Sequence, residues 1–139
     1  MKAFTDLKQS KKLTEILPVE SADMYYKYVL PKSDKIIHTP VIGNPIDSLK
    51  WYNKGYTFRG RREPITLSEY CIPCWSLAAL INVISKHSSR LEIILRVDKK
   101  YNIFANFDKF IVFRKFVDID NAIDVCVDMI ETLYKQKLL

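Results

Sequence analysis

The chain has 139 residues, 48% hydrophobic and 27% charged, with a formal net charge of +6. That balance excludes wholesale disorder, and the length lets one domain bury a core without metal or disulfide staples. The positive excess permits an acidic partner such as nucleic acid and is too mild to demand one, while no apolar run nears the ~18 residues of a membrane span.

Phe4, Leu7, Leu13, Ile16 and Leu17 fall at loose helical spacing, which predicts a short helix with Thr5 as N-cap, ending before Pro18. Asp23–Leu30 is rich in aromatics and β-formers and reads as a strand; Lys35–Ile42 is a second, weaker one that Pro40 places at a sheet edge. From Gly43 to Pro64 neither strand nor helix periodicity survives, and all three glycines of the chain lie here. The expectation is a long basic, aromatic loop over about 43–66, with at most a short helix at 47–53.

Order returns at Cys71-Ile-Pro-Cys-Trp-Ser, where Pro73 fits an extended approach and Ser76 caps a helix running to about Ile84. Leu77, Leu80, Ile81 and Ile84 form its expected buried stripe, with Trp75 packed beside its start. Alternation over Leu91–Val97, Tyr101–Phe107 and Phe110–Phe116, with polar turns between, predicts a three-strand antiparallel meander. Asn121 and Asp124 open a last helix whose apolar face is Ile123, Cys126, Met129, Ile130 and Leu133; its acids come early and its lysines late, as the helix dipole favours. The expected fold is therefore one α+β domain over 1–139. Its antiparallel sheet would combine the C-terminal meander with one or two N-terminal strands, and two or three helices would pack on one face.

Three stretches carry a resemblance: Gln9–Tyr26 (QSKKLTEILPVESADMYY), Ile72–Leu80 (IPCWSLAAL) and Asn121–Ile130 (NAIDVCVDMI). They are similar, in this order, to a family of small uncharacterised proteins encoded by phages and mobile elements of gut bacteria. The resemblance implies an accessory protein and carries over no catalytic residue. The chain departs from the family pattern at Ala122, where proline commonly opens the last helix, and in the basic stretch around 31–66.

Candidate chemistry is sparse. Cys71-Ile-Pro-Cys74 looks like a thiol redox motif, in which a helix N-terminus activates the first thiol, yet Ser76 as N-cap leaves Cys71 outside the first turn. As half of a zinc site it lacks a second ligand pair, since Cys126 belongs to an apolar helix face and His38 and His87 read as surface or loop residues. The carboxylates Asp118, Asp120, Asp124, Asp128 and Glu131 are explained mainly by helix-end charge, and no nucleophile elbow, P-loop or metalloprotease signature is present. No cofactor, metal or catalytic residue is expected.

The segment 50–62 has five cations, four aromatics and no acid. Its cations can neutralise phosphates while rings stack on unpaired bases, so Lys50, Trp51, Lys54, Tyr56, Arg59, Arg61 and Arg62 are the candidate nucleic-acid contacts. Three cysteines cannot all pair within one chain, and Met1-Lys-Ala-Phe-Thr-Asp does not resemble a secretory leader, so a cytoplasmic setting is expected. The favoured reading is a non-catalytic protein that binds a protein partner, without membrane insertion. Nucleic-acid binding through segment 50–62 is the alternative, and thiol chemistry at Cys71 and Cys74 a remote one.

Overall fold

The computed structural model describes residues 2–59, 63–87, 90–95, 100–108, 111–118 and 122–139, with backbone only at 55–59 and from 90 to 118. The fold is α+β, with five α-helices and two three-stranded antiparallel sheets among the described residues. The chain divides into two compact units, Asp6–Trp75 and Met1–Thr5 with Ser76–Leu139.

In the Asp6–Trp75 unit, helix α1 (Leu7–Thr14) is capped by Asp6 rather than Thr5. The Asp6 carboxylate accepts the Gln9 N–H at 2.8 Å and the Gln9 side-chain oxygen accepts the Asp6 N–H at 3.1 Å, so two otherwise orphaned donors are satisfied reciprocally. Strand β1 (Met24–Lys27) is the centre of a sheet ordered β2-β1-β3, flanked by β2 (Val41–Ile42) and β3 (Cys71–Cys74). This corrects the expectation that the N-terminal strands extend the C-terminal meander. Both hydrogen-bonding edges of β1 are already taken, with Tyr25 opposite Val41 on one side and Pro73 on the other.

The expected strand Asp23–Leu30 ends early because the chain turns back on itself. The Ser33 N–H donates to the Leu30 carbonyl, and Lys32 sits at φ 62. The return leg follows β1 through Val29 N–H to the Lys35 carbonyl, a Tyr28–Ile36 bridge and Ile37 N–H to the Lys27 carbonyl. The segment 35–42 is thus an interrupted edge, as Pro40 implied.

Gly43, at φ 140, redirects the chain out of β2 into helix α2 (Pro45–Arg59). The expected loop over 43–66 is therefore largely a fifteen-residue helix. Helix α3 (Leu67–Tyr70) follows, with the Glu69 carboxylate accepting both the Thr66 N–H at 3.2 Å and its hydroxyl at 2.9 Å. Buried Leu13, Tyr25, Tyr26, Ile72, Cys74 and Trp75 make up much of this unit's core; the Trp75 Nε1–H donates to Ser21 Oγ at 3.0 Å, so the burial of its indole leaves no orphaned donor.

In the other unit, helix α4 (Leu77–His87) begins where Ser76 Oγ accepts the Ala79 N–H at 3.2 Å, as expected, and runs a turn beyond Ile84. Ala79, Leu80, Val83 and Ile84 are buried, while Leu77 and Ile81 are only half-buried, so the apolar stripe is rotated from the expected one. Strands β4 (Arg90–Leu95), β5 (Lys100–Asp108) and β6 (Ile111–Asp118) form the expected meander, with an irregularity in register between Asn106 and Asp108. Helix α5 (Ala122–Lys135) buries all five residues of its expected face, packs on α4 and lies against β6. Its expected cap Asn121 is outside the described residues. The N-terminal residues are tied in by the Leu77 N–H to the Ala3 carbonyl, a Phe4–Ser76 bridge and the Lys2 Nζ–Asp124 ion pair at 2.8 Å.

Candidate interaction surface

Helix α2 starts at Asn44, whose side-chain oxygen accepts the N–H groups of Ile46 at 2.9 Å and Asp47 at 3.4 Å, while its amide donates to the Ala22 carbonyl at 3.2 Å. Pro45 follows with its ring pre-set for a first helical position and no N–H to leave unsatisfied. Asn-Pro with Asp47 in the first turn is the sequence signal for this helix start, and Thr66-x-x-Glu69 is the corresponding signal for α3. Neither outweighed the weak periodicity of the stretch.

The two faces of α2 differ in chemistry. Inward, Leu49 and Tyr52 pack against a cluster of Tyr25, Ile65, Tyr70 and Cys71, and the Tyr52 and Tyr70 ring centroids are 5.3 Å apart. Asn53 closes that side: its amide donates to the Ile65 carbonyl and its oxygen accepts the Ile65 N–H, both at 3.1 Å. Outward lie Lys50, Trp51 and Lys54, all exposed. Trp51 is 74% exposed, far from the usual state of the largest apolar side chain, and the Lys54 Nζ stands 4.7 Å from its ring centroid. Such a cation–π contact contributes about 0.5–1 kcal/mol at an exposed site and orients both groups. Ile46, Leu49, Lys50, Asn53 and Lys54 line a groove of about 520 Å³ on the same helix.

Of the expected nucleic-acid contacts, Lys50, Trp51 and Lys54 are thus brought together on one helix. Tyr56 and Arg59 continue its backbone, their side chains not described, and Arg61 and Arg62 lie outside the described residues.

A second exposed region follows the free edge of the sheet. Leu30 (66% exposed), at the turn, and Ile42 (85%), in β2, are accompanied by Val29, Ile37 and Val41, all exposed. The opposite end strand, β3, is the one that carries Pro73. A second concavity, of about 620 Å³, opens between α1, β3 and the start of α3 with Lys11, Tyr28, Leu67, Ile72 and Pro73 in its lining. Two hydroxyls in that lining are engaged structurally, Thr14 on the Ser10 carbonyl and Thr66 on Glu69.

The cysteine pair does not have the geometry of a redox motif. Cys71 and Cys74 are the ends of a four-residue strand, so their side chains leave on opposite faces. Cys71 follows the C-terminal end of α3, not a helix N-terminus, and burial pushes its thiol up to about 12. All three cysteines are buried and none is in a disulfide. Asp6 and Glu69 serve as helix caps and Asp124 pairs with Lys2, while His38 and His87 are exposed. Among the described residues no three His, Cys, Asp or Glu side chains are grouped to hold a metal ion, and no helix is long and apolar enough to cross a membrane.

Compared with known proteins, no family model matches this chain, and neither a curated protein nor a solved structure matches it.

Proposed function

We propose that this chain is a non-catalytic accessory protein of a phage or mobile genetic element, cytoplasmic, that acts by binding a protein partner. The supporting observation is the group of exposed apolar side chains on the hairpin that leads from β1 to β2: Val29 and Leu30 at its turn, and Ile37, Val41 and Ile42 on the returning edge leg. Isolated exposed aliphatics are ordinary, but five on one hairpin give a protein partner an apolar contact, and the end position of β2 in its sheet suits an extended segment added as a further strand. Asp6 and Glu69 are held in helix caps and Cys71 and Cys74 in the core, in keeping with a binding role rather than a chemical one.

The test is affinity capture from a gut-bacterial host lysate with wild type, Ile42→Asp and Trp51→Ala in parallel. The expected result is a specific protein enriched by wild type and lost with Ile42→Asp, a variant that leaves thermal stability within about 0.5 kcal/mol because the side chain is exposed. The absence of any partner sensitive to either substitution overturns the reading.

A second reading, nucleic-acid binding, draws on the exposed Lys50, Trp51 and Lys54. Fluorescence anisotropy with labelled DNA and RNA separates the two: phosphate contacts make affinity fall steeply with salt, and an apolar-led protein interface responds far less. Micromolar binding that persists at physiological salt and disappears when Arg59, Arg61 and Arg62 are all changed to Glu would favour this second reading.

A further inference from the structure

We propose that the outward groove of α2 docks a segment of the protein partner in which carboxylates flank an apolar side chain. The inference rests on the protein-binding reading and concerns a different surface from the sheet edge.

Charge complementarity and the groove's floor together select the occupant. Lys50 and Lys54 are one helical turn apart, so their stems stand in one row with Cβ atoms roughly 6 Å apart. Carboxylates four apart on a helix have the same Cβ spacing of roughly 6 Å and share their face with the side chain three residues after the first, so a helical segment can offer the lysines two acids with an apolar group between them. Beside the cations the lining includes Ile46 and Leu49, both half-buried, which leaves apolar surface for a partner's side chain to cover. A peptide that carries acidic and aliphatic side chains together engages the lysines and this aliphatic lining at once, which is why it is favoured here.

The groove is also built to hold its shape. Asn53 in its wall is fixed by the paired hydrogen bonds to Ile65, Leu49 in its lining also packs against the buried cluster, and the helix is further anchored by Tyr52. Beside it Trp51 offers a large rigid ring, the kind of side chain that dominates interface energetics, and Lys54 lies over it. Asp47, one turn before Lys50, is the acid at the start of the same helix and limits how far an acidic segment extends in that direction.

The experiment uses the full chain and three labelled probes at about 0.15 M salt. One is a twelve-residue peptide alternating Glu with Leu and Phe, one is its counterpart with every Leu and Phe replaced by Ser, and one is a twelve-nucleotide oligothymidylate. Anisotropy titration should show the first peptide binding wild type, with affinity reduced about tenfold or more in the Lys50→Glu/Lys54→Glu double variant and in Trp51→Ala. The serine counterpart should bind more weakly than its parent by a similar factor. Circular dichroism of each variant confirms that the helix is retained.

Failure of the first peptide to bind, affinity unchanged in both variants, or equal affinity for the serine counterpart overturns the groove assignment. Tighter oligothymidylate binding lost in the same variants also overturns it, in favour of nucleic acid. The groove can fail while Ile42→Asp still abolishes capture of the cellular partner; the protein-binding reading then stands, with the sheet edge as its surface.

Discussion

At the scale of single residues, burial decides what the cysteines can do. Desolvation disfavours the thiolate and pushes both Cys71 and Cys126 up to about 12, so at neutral pH each is an inert thiol packed like a small apolar side chain. Native protein at pH 8 should therefore react with a thiol reagent at well under a hundredth of the rate of the same chain in denaturant, as a colour assay for released thiolate will show. Fast native labelling would mean that at least one of the three cysteines is open to solvent. The linked effect on stability has a definite sign. The folded-state pKa of each thiol lies above its unfolded value near 9, so their contribution is fully present below pH 9 and is lost as pH rises towards 12. Tyr26 and Tyr70, raised chiefly by burial, act in the same direction. Chemical denaturation between pH 8 and 11 should show a falling midpoint. On the acid side, Glu69 is held below the ordinary carboxylate range by the Thr66 N–H and hydroxyl and by Lys32, so protonating it removes a cap from α3.

At the scale of elements, α2 depends on a few polar contacts more than on its own periodicity. Asn53 supplies both hydrogen bonds to the buried Ile65 backbone, standing in for a strand neighbour. Asn53→Ala orphans that N–H and carbonyl and should cost about 1–3 kcal/mol, measured by urea denaturation. Asn53→Asp keeps the acceptor and loses the donor, so it should recover only part of the loss. Gly43 makes a related point about the β2–α2 turn. An added Cβ there meets nothing within 4 Å, yet φ 140 is a conformation that L side chains rarely adopt. Gly43→Ala should therefore destabilise by about 1–3 kcal/mol through the backbone alone. A neutral result would show that the turn relaxes.

At the scale of the whole molecule, the chain divides into two compact units, each with its own buried side chains. Leu80 on α4 and Ile130 on α5 are both fully buried, and the two helices pack together. Replacing either by Ala removes several buried methyl or methylene groups and should cost about 2–5 kcal/mol, and hydrogen exchange should lose protection mainly over α4 and α5. A change under about 0.5 kcal/mol would show that these side chains do not carry the core. The equivalent probe of the Asp6–Trp75 unit is Leu13→Ala, at a position with no exposure to solvent.

How much of this was legible in the sequence follows from how local each signal is. Helix α5, the start of α4 at Ser76 and the meander were readable because their information lies within a few residues: an i, i+3, i+4 apolar face, a cap and strands joined by short turns. The edge position of segment 35–42 followed from Pro40 alone. Helix α2 was not read as such, because its inward face mixes Leu49 and Tyr52 with polar Asn53, and its outward face carries Trp51. The partners that explain that mixture, Ile65 and Tyr70, are distant in sequence. The same holds for β1, whose place beside β3 rather than β4 is settled by which edges are already paired. The sequence by itself determined the α+β class, the caps and the basic, aromatic character of segment 50–62. Only the tertiary structure decided that Lys50, Trp51 and Lys54 share one helix and that Cys71 and Cys74 face apart, because those depend on hydrogen bonds and packing between residues that no local pattern connects.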